Sequence, residues 1–250
     1  MPPDTAHDIA MDNDLLPLPS SARDVWARYG HLDTEALLEA LIHEAFPGRI
    51  AVSSSFGTES AVLLYLVSRV APETPVLFLD TGMLFAQTDQ YRRRLQDRLG
   101  LRDIRIIRPD EDHLREYDPD GTLHQRDPDA CCHLRKVLPM QRVLDGFDAW
   151  ITGRKRIHGG SRQALPVIEH DGKHTKINPL ATWDAEQIQM AFTDHDLPRH
   201  PLEEMGYTSV GCHPCTSLPM SGDGVRSGRW SGLDKTECGI HKAPWAGQGI

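Results

Sequence analysis

From Arg49 onward the chain alternates short β-branched runs with amphipathic segments, a pattern that limits it to a mostly parallel sheet flanked by helices. Strands are expected in RIAVSS, PVLFLD, DIRIIRP and DAWIT. Helices are expected from Ser60 to Val70, from Gln87 to Leu99, in a short piece after the third strand, and from Cys132 to Leu144. LPVIEHDGKHTKINPL predicts a hairpin about Asp171-Gly172, and DAEQIQMAFTDHD a further helix. Ahead of the alternation, SARDVWARYG and DTEALLEALIHEAF read as two short amphipathic helices. Residues 1–20, acidic and Pro-rich, are expected to form a flexible arm. Residues 21–220 then form one α/β domain, and 221–250 a mobile tail, because the sequence beyond about Pro198 is rich in Gly, Pro and Ser.

A chain of 250 residues, 39% of them hydrophobic, can bury one sizeable core. No run approaches the roughly 18 apolar residues of a membrane span, and the start lacks a charged-then-apolar signal, so a cytoplasmic protein is expected. The net charge of -9 disfavours a broad nucleic-acid footprint, whereas local basic clusters suit a small anion. Neither a G-x-G-x-x-G run nor a G-x-x-x-x-G-K-S loop is present, so neither a Rossmann dehydrogenase nor a Walker-type ATPase is indicated.

The five cysteines divide into four and one: Cys131-Cys132, then Cys212-His213-Pro214-Cys215, then Cys238 alone. In a reducing compartment these are metal ligands or redox catalysts rather than disulfide staples. A vicinal pair joined to a distant C-x-x-C fits an iron-sulfur cluster better than structural zinc, whose ligands come as two spaced pairs, and unrelated buried thiols are the third reading. His133 and His213 adjoin these cysteines but read as bystanders, since four thiolates complete such a site.

Three loops follow strand ends, the edge at which an open α/β sheet takes its ligands. Ser53-Ser54-Ser55-Phe56-Gly57-Thr58-Glu59-Ser60 opens a helix and offers small hydroxyls and backbone N-H groups to an anion, or else is an ordinary strand-to-helix turn. Leu79-Asp80-Thr81-Gly82 brings a carboxylate suited to ribose or adenine. Thr152-Gly153 runs into Arg154-Lys155-Arg156-Ile157-His158-Gly159-Gly160-Ser161-Arg162, cations on a glycine-rich loop that suit phosphate or sulfate unless they are merely a solvated face.

With these motifs assembled, residues from about Arg49 to His241 resemble the thioredoxin-dependent, assimilatory adenylyl-sulfate reductase branch of the phosphoadenylyl-sulfate reductase family. The resemblance rests on Ser55 to Ser60, Leu79 to Gly82, Cys131-Cys132-His133-Leu134-Arg135-Lys136-Val137, the Ile151 to Arg162 loop, Gly211 to Thr216, Arg226-Ser227-Gly228-Arg229-Trp230 and Lys235 to His241, in that order. It implies an adenine nucleotide alpha hydrolase-like fold with a modified PP-loop, and a flexible C-terminal tail carrying the catalytic Cys238. It also implies one [4Fe-4S] cluster on Cys131, Cys132, Cys212 and Cys215, with Lys136 and His241 as further catalytic residues. The implied substrate, adenosine 5'-phosphosulfate, would be bound by Ser55, Phe56, Gly57, Thr58, Glu59, Ser60, Leu79, Asp80, Thr81, Gly82, Arg154, Arg162, Arg226 and Arg229.

In the implied reaction Cys238 attacks the sulfate sulfur and expels AMP. Thioredoxin then discharges the S-sulfocysteine as sulfite through a transient mixed disulfide, in sulfate assimilation toward cysteine biosynthesis. Neither a nucleic acid nor a membrane is an expected partner, and a homo-oligomer is expected. An anion attacking an anionic sulfuryl group needs fixed cations, which Lys136, Arg162, Arg226 and Arg229 can supply. Met83 departs from the basic residue frequent after Leu-Asp-Thr-Gly in relatives and removes one possible anion contact. The competing readings are reduction of the 3'-phosphorylated nucleotide, an ATP-using tRNA thiolation enzyme, and a non-enzymatic metal-binding or redox-sensing protein.

Overall fold

A computed structural model describes residues 21–219, 224–233, 235 and 237–241. The expected arm at 1–20 and part of the expected tail lie outside the described residues.

The expected alternation is realised in order. It begins with α1 (Ala22–Tyr29), α2 (Thr34–Ala40), β1 (Ile50–Ser53), α3 (Ser60–Val70), β2 (Val76–Leu79), α4 (Ala86–Leu99), β3 (Ile104–Ile107) and α5 (Glu111–Tyr117). It continues with α6 (Leu123–Arg126), α7 (Pro128–Cys132), α8 (Leu138–Leu144), β4 (Ala149–Thr152), the β5–β6 hairpin (Ile168–His170, Thr175–Ile177) and α9 (Ala185–Asp194). Local chemistry fixes many of the helix starts: Ser21 caps α1 through the Asp24 N-H at 3.2 Å, Asp33 caps α2, and Asp184 with Gln187 forms a capping box on α9.

The six strands run in the order β3-β2-β1-β4-β6-β5, all parallel except β5, which pairs antiparallel with β6. Chain order reverses beside β1, which has β2 on one side and β4 on the other. The loops leaving β1 and β4 therefore diverge and leave a crevice at the strands' C-terminal ends, the topological switch point where such sheets bind ligands.

Side chains alternate across the sheet. Ile50 and Val52, Val76 and Phe78, and Ala149 and Ile151 enter the larger apolar cluster with α2, α3 and α9, whereas Ala51, Leu77 and Trp150 point to the other face. That second face is covered by Val137, Met140, Leu144 and Phe147, and by Ile240 from the chain's last described segment, with Cys238 against its edge. Its burial makes the C-terminal segment part of the core.

The expected helix from Cys132 to Leu144 is not continuous: α7 ends at Cys132, a π-turn covers His133–Val137, and α8 follows. Pro139 lacks the N-H that an uninterrupted α-helix would return to Arg135, and the wider turn instead closes from the Leu138 N-H to the His133 carbonyl. The expected helix over DTEALLEALIHEAF likewise widens to a π-turn at Leu41–Ala45.

His200, fully buried beside α4, accepts the Leu202 N-H at Nδ1 (3.1 Å) and lies 3.3 Å from the Thr88 hydroxyl through Nε2. Burial pushes its pKa down to about 4. The unfolded chain takes up this proton near the ordinary 6.5, so the stabilising contribution is complete above that pH and is lost as pH falls toward about 4. The expected loss is about 2 kcal/mol between pH ~7 and ~5 from this one ring. Urea unfolding midpoints at the two pH values should show it, and His200→Asn should reduce the difference by that amount.

Candidate active site

The loop after β1 is shaped by its one buried aromatic. Phe56 has φ 48°, a left-handed conformation costly for a bulky residue, and its N-H is held by Ser54 Oγ at 3.2 Å. Its side chain is fully buried and packs edge-on against Phe78, ring centroids 5.1 Å apart. Phe56 thus plugs the core while the backbone on either side of it turns along the crevice, where Ser53, Ser54, Ser55 and Gly57 line the wall.

Two adjoining clefts share Ser53, Ser54, Ser55, Arg162, Arg226 and Arg229, so they form one groove. One end adds Thr58, Glu59, Ser60 and Arg154; the other adds Leu79, Thr81, Lys136, Cys212, Glu237 and Cys238. His241 lines both. Of the residues expected to touch substrate, Phe56, Asp80 and Gly82 line neither. Asp80 instead accepts Arg108 Nε at 3.0 Å and the Gly82 N-H at 3.1 Å, which fixes the turn after β2.

Glu59 opens α3 without capping it. Its carboxylate meets Lys155 Nζ at 2.8 Å and His158 Nε2 at 2.9 Å. Burial alone would push this carboxyl up; the His158 hydrogen bond and the Lys155 charge outweigh it and bring the pKa down to about 2. Arg154 pairs with Glu169, which also meets Lys176 at 3.4 Å and accepts Asn178 Nδ2 at 2.9 Å. Lys176, almost wholly buried over the Trp150 ring at 5.0 Å, donates to the His241 carbonyl at 3.4 Å. The His241 ring stacks on Trp150 with centroids 5.5 Å apart and planes 4° apart. Burial, with Lys176 and Arg154 adding to it, pushes its pKa far below the ordinary value, so this imidazole is neutral.

The five cysteines are all free. Cys131, Cys132 and Cys212 are buried, Cys215 and Cys238 half-buried. Leu84 bridges to Cys212 in antiparallel fashion, the His213 N-H donates to the Met83 carbonyl at 2.7 Å, and Thr81 Oγ1 lies 3.3 Å from Cys212 Sγ. The C-x-x-C loop is thereby sewn to the turn after β2, so Met83 contributes backbone to the cysteine site. Arg229 lies across Gly211, where a Cβ would collide with the guanidinium. Burial pushes the Cys131 thiol up to about 12, with the neighbouring Cys132 charge adding to it, and burial raises Cys132 and Cys215 as well. Cys212 moves down: burial alone would raise it, and the Lys136 charge, the Thr81 hydrogen bond and the Arg229 charge together outweigh that burial. Lys136 is raised: burial opposes its charge, and the Cys212, Cys132 and Cys238 thiolates overcome that opposition. The lysine lines the same part of the groove as Cys212 and Cys238. Among the described residues, no three His, Cys, Asp or Glu side chains are arranged to hold a single metal ion.

His158, Lys155 and Glu237 escaped sequence reasoning as site residues. The first two sit inside the basic loop from Arg154 to Arg162, and Glu237 directly precedes Cys238.

The phosphoadenosine phosphosulfate reductase domain profile matches residues 49–218, more than half of the chain. The chain belongs to the phosphoadenosine phosphosulfate reductase family. Within that family it is 46% identical over 221 residues to the adenosine 5'-phosphosulfate reductase of Chelativorans sp. (strain BNC1), covering 88% of this chain and 90% of that protein. It is 41% identical over 186 residues to the protein of the same name from Mycobacterium tuberculosis (strain ATCC 25177 / H37Ra), covering 72% of each. Among solved structures, the phosphoadenylyl-sulfate reductase of Candida auris in its phosphate complex superposes with a TM-score of 0.66 at 26% identity, over 80% of this chain and 99% of that one. A Candida glabrata FMN adenylyltransferase with FMN and an ATP analogue, at TM-score 0.53 and 18% identity over 81% of this chain and 70% of that one, shares the fold alone. The sheet and its flanking helices are thus a frame that proteins of different activity share.

Proposed function

We propose that this family member reduces adenosine 5'-phosphosulfate to sulfite and AMP, with Cys238 as the nucleophile and thioredoxin as the electron donor. The observation that carries this reading is the single groove in which Cys238, Lys136, Arg162, Arg226, Arg229 and the hydroxyl loop after β1 all take part. The names of the relatives support the substrate. In the first step the Cys238 thiolate attacks the sulfuryl sulfur. An S-S bond forms, the S-O bond to phosphate breaks, and AMP leaves with the electron pair. In the second, a thioredoxin thiolate attacks Cys238 Sγ and sulfite departs with the S-S pair; the second thioredoxin thiol then resolves the mixed disulfide, so one dithiol supplies the two electrons. The cations offset repulsion between two anions as they meet, and the neutral His241 adds no charge of its own.

Cys131, Cys132, Cys212 and Cys215 suit a [4Fe-4S] cluster. A cluster takes one thiolate per iron, so its ligands ring a common volume, and burial of thiols whose ionisations oppose one another is a strain that a cationic centre would relieve. Bound there, the cluster would supply fixed charge and a rigid tie between α7 and the C-x-x-C loop. By the resemblance to the adenylyl-sulfate reductase branch, the four cysteines also favour the nucleotide without a 3'-phosphate. A cytoplasmic homo-oligomer belongs to the same reading, and no helix among the described residues is long and apolar enough to cross a membrane.

The test is the intact mass of reduced, anaerobic protein after incubation with adenosine 5'-phosphosulfate and no reductant. One added SO3 group, discharged as sulfite by thioredoxin, is expected, with much slower transfer from the 3'-phosphorylated nucleotide. Transfer from neither nucleotide would overturn the reading; faster transfer from the 3'-phosphorylated one would change its substrate.

A further inference from the structure

An acidic side chain stands among the cations that an anionic substrate needs. Glu237, directly before Cys238, accepts Arg162 Nε at 2.5 Å through one carboxylate oxygen and Arg162 NH2 at 2.9 Å through the other; Arg226 NH2 stands 3.8 Å from the second. The Arg162 and Glu237 side chains are only 9% and 12% exposed, so water screens this pair little. Arg162 is held from its other side as well: NH1 lies 3.1 Å from His158 Nδ1. A guanidinium only donates, so Nδ1 is the acceptor, the ring proton sits on Nε2, and that proton is given to Glu59 at 2.9 Å. Four side chains, Glu59, His158, Arg162 and Glu237, therefore run from the loop after β1 to the residue beside the nucleophile. Of the five donors of Arg162, three are engaged in this way among the described residues, which leaves two for an anion in the groove that Arg162 lines.

We propose that Glu237 is a positioning residue whose carboxylate latches the nucleophile segment onto Arg162 and Arg226, setting Cys238 in the groove for sulfuryl transfer and releasing it for attack by the reductant. The latch rests on the function proposed above. It works alongside ties farther along the segment, Ile240 in the second apolar cluster and His241 on Trp150. It differs from them in being electrostatic and adjacent to the sulfur: it aims Cys238, whereas they bury the segment. The two half-reactions place opposite demands on it. Transfer from the nucleotide needs the segment closed, and discharge by a bulky dithiol protein needs it open.

The experiment compares wild type, Glu237→Gln and Glu237→Asp in three readouts. With adenosine 5'-phosphosulfate in single turnover, SO3 gain on Cys238 should slow about 30-fold in the Gln variant, as for loss of one buried charge-assisted pair, and recover in part with Asp. Discharge of pre-sulfonated Cys238 by thioredoxin should be unchanged or faster. Alkylation of Cys238 by iodoacetamide, read by peptide mass, should be about 10-fold faster in the Gln variant, while AMP affinity stays within about twofold. Equal slowing of both half-reactions, unchanged SO3 transfer, or unchanged alkylation would overturn the latch. If wild type accepts no SO3 yet the alkylation difference holds, the substrate reading fails and the latch stands.

Discussion

Replacing Cys238 by serine is expected to abolish SO3 uptake and to lower sulfite release by about 10⁴-fold or more, the scale of losing a covalent nucleophile. The two side chains are close in size, and Cys238 lies at the edge of the second apolar cluster rather than inside it, so the exchange should leave the fold intact. What it removes is an ionisable, polarisable sulfur: a serine hydroxyl stays protonated beside Lys136 at neutral pH and offers no sulfur for the reductant to attack. AMP affinity and the content of the proposed cluster should match wild type, because the groove's arginines and the four other cysteines are untouched. Sulfite release above about 1% of wild type would place the nucleophile elsewhere.

The largest effect on stability is expected at Asp118, far from the groove in sequence but tied to it through one arginine. Its fully buried carboxylate accepts Arg135 NH2 at 2.5 Å and Nε at 3.2 Å, and takes the Leu123 N-H at 2.8 Å. The remaining Arg135 nitrogen donates to the Thr81 carbonyl at 2.9 Å, and Thr81 in turn contacts Cys212. Asp118→Ala leaves a buried guanidinium without its counter-charge, a change that costs about 3–5 kcal/mol. In a chain of this size that lowers Tm by roughly 10 °C. Arg135 lies in the π-turn between the vicinal cysteines and α8, so the content of the proposed cluster should fall together with Tm. Asp145→Ala, which breaks only an exposed pair with Lys173, is the control and should leave Tm unchanged. An Asp118→Ala protein with wild-type Tm and iron would show that the pair does not hold the cysteine site.

Periodicity made α3 and the strands legible from β1 to β4, because their apolar spacing repeats and turn residues bound them. It missed the π-turn at His133–Val137, where one proline and the needs of a site override a sequence that reads as continuous helix. The division of the cysteines into four and one, and the basic loop ending at Arg162, were readable as chemistry because residue type and order carry it. Phe56 shows the opposite: a residue in the middle of a binding motif turned out to be a core plug, and nothing in one sequence tells a backbone contact from a side-chain contact.

The sequence by itself determined the fold class, the family and which thiol stands apart, since these follow from local pattern and from residues whose chemistry is rare. Only the tertiary structure decided which charges meet: that Glu237 lies on Arg162, that His158 carries its proton on Nε2 between Arg162 and Glu59, and that His241 is neutral against Trp150. Apart from the Arg162–His158 contact, between residues 4 positions apart, those contacts join residues from about 75 to about 100 positions apart in the chain. Charge interactions depend on distance and burial, quantities that exist only once the sheet has brought β1, β4 and the C-terminal segment to one edge.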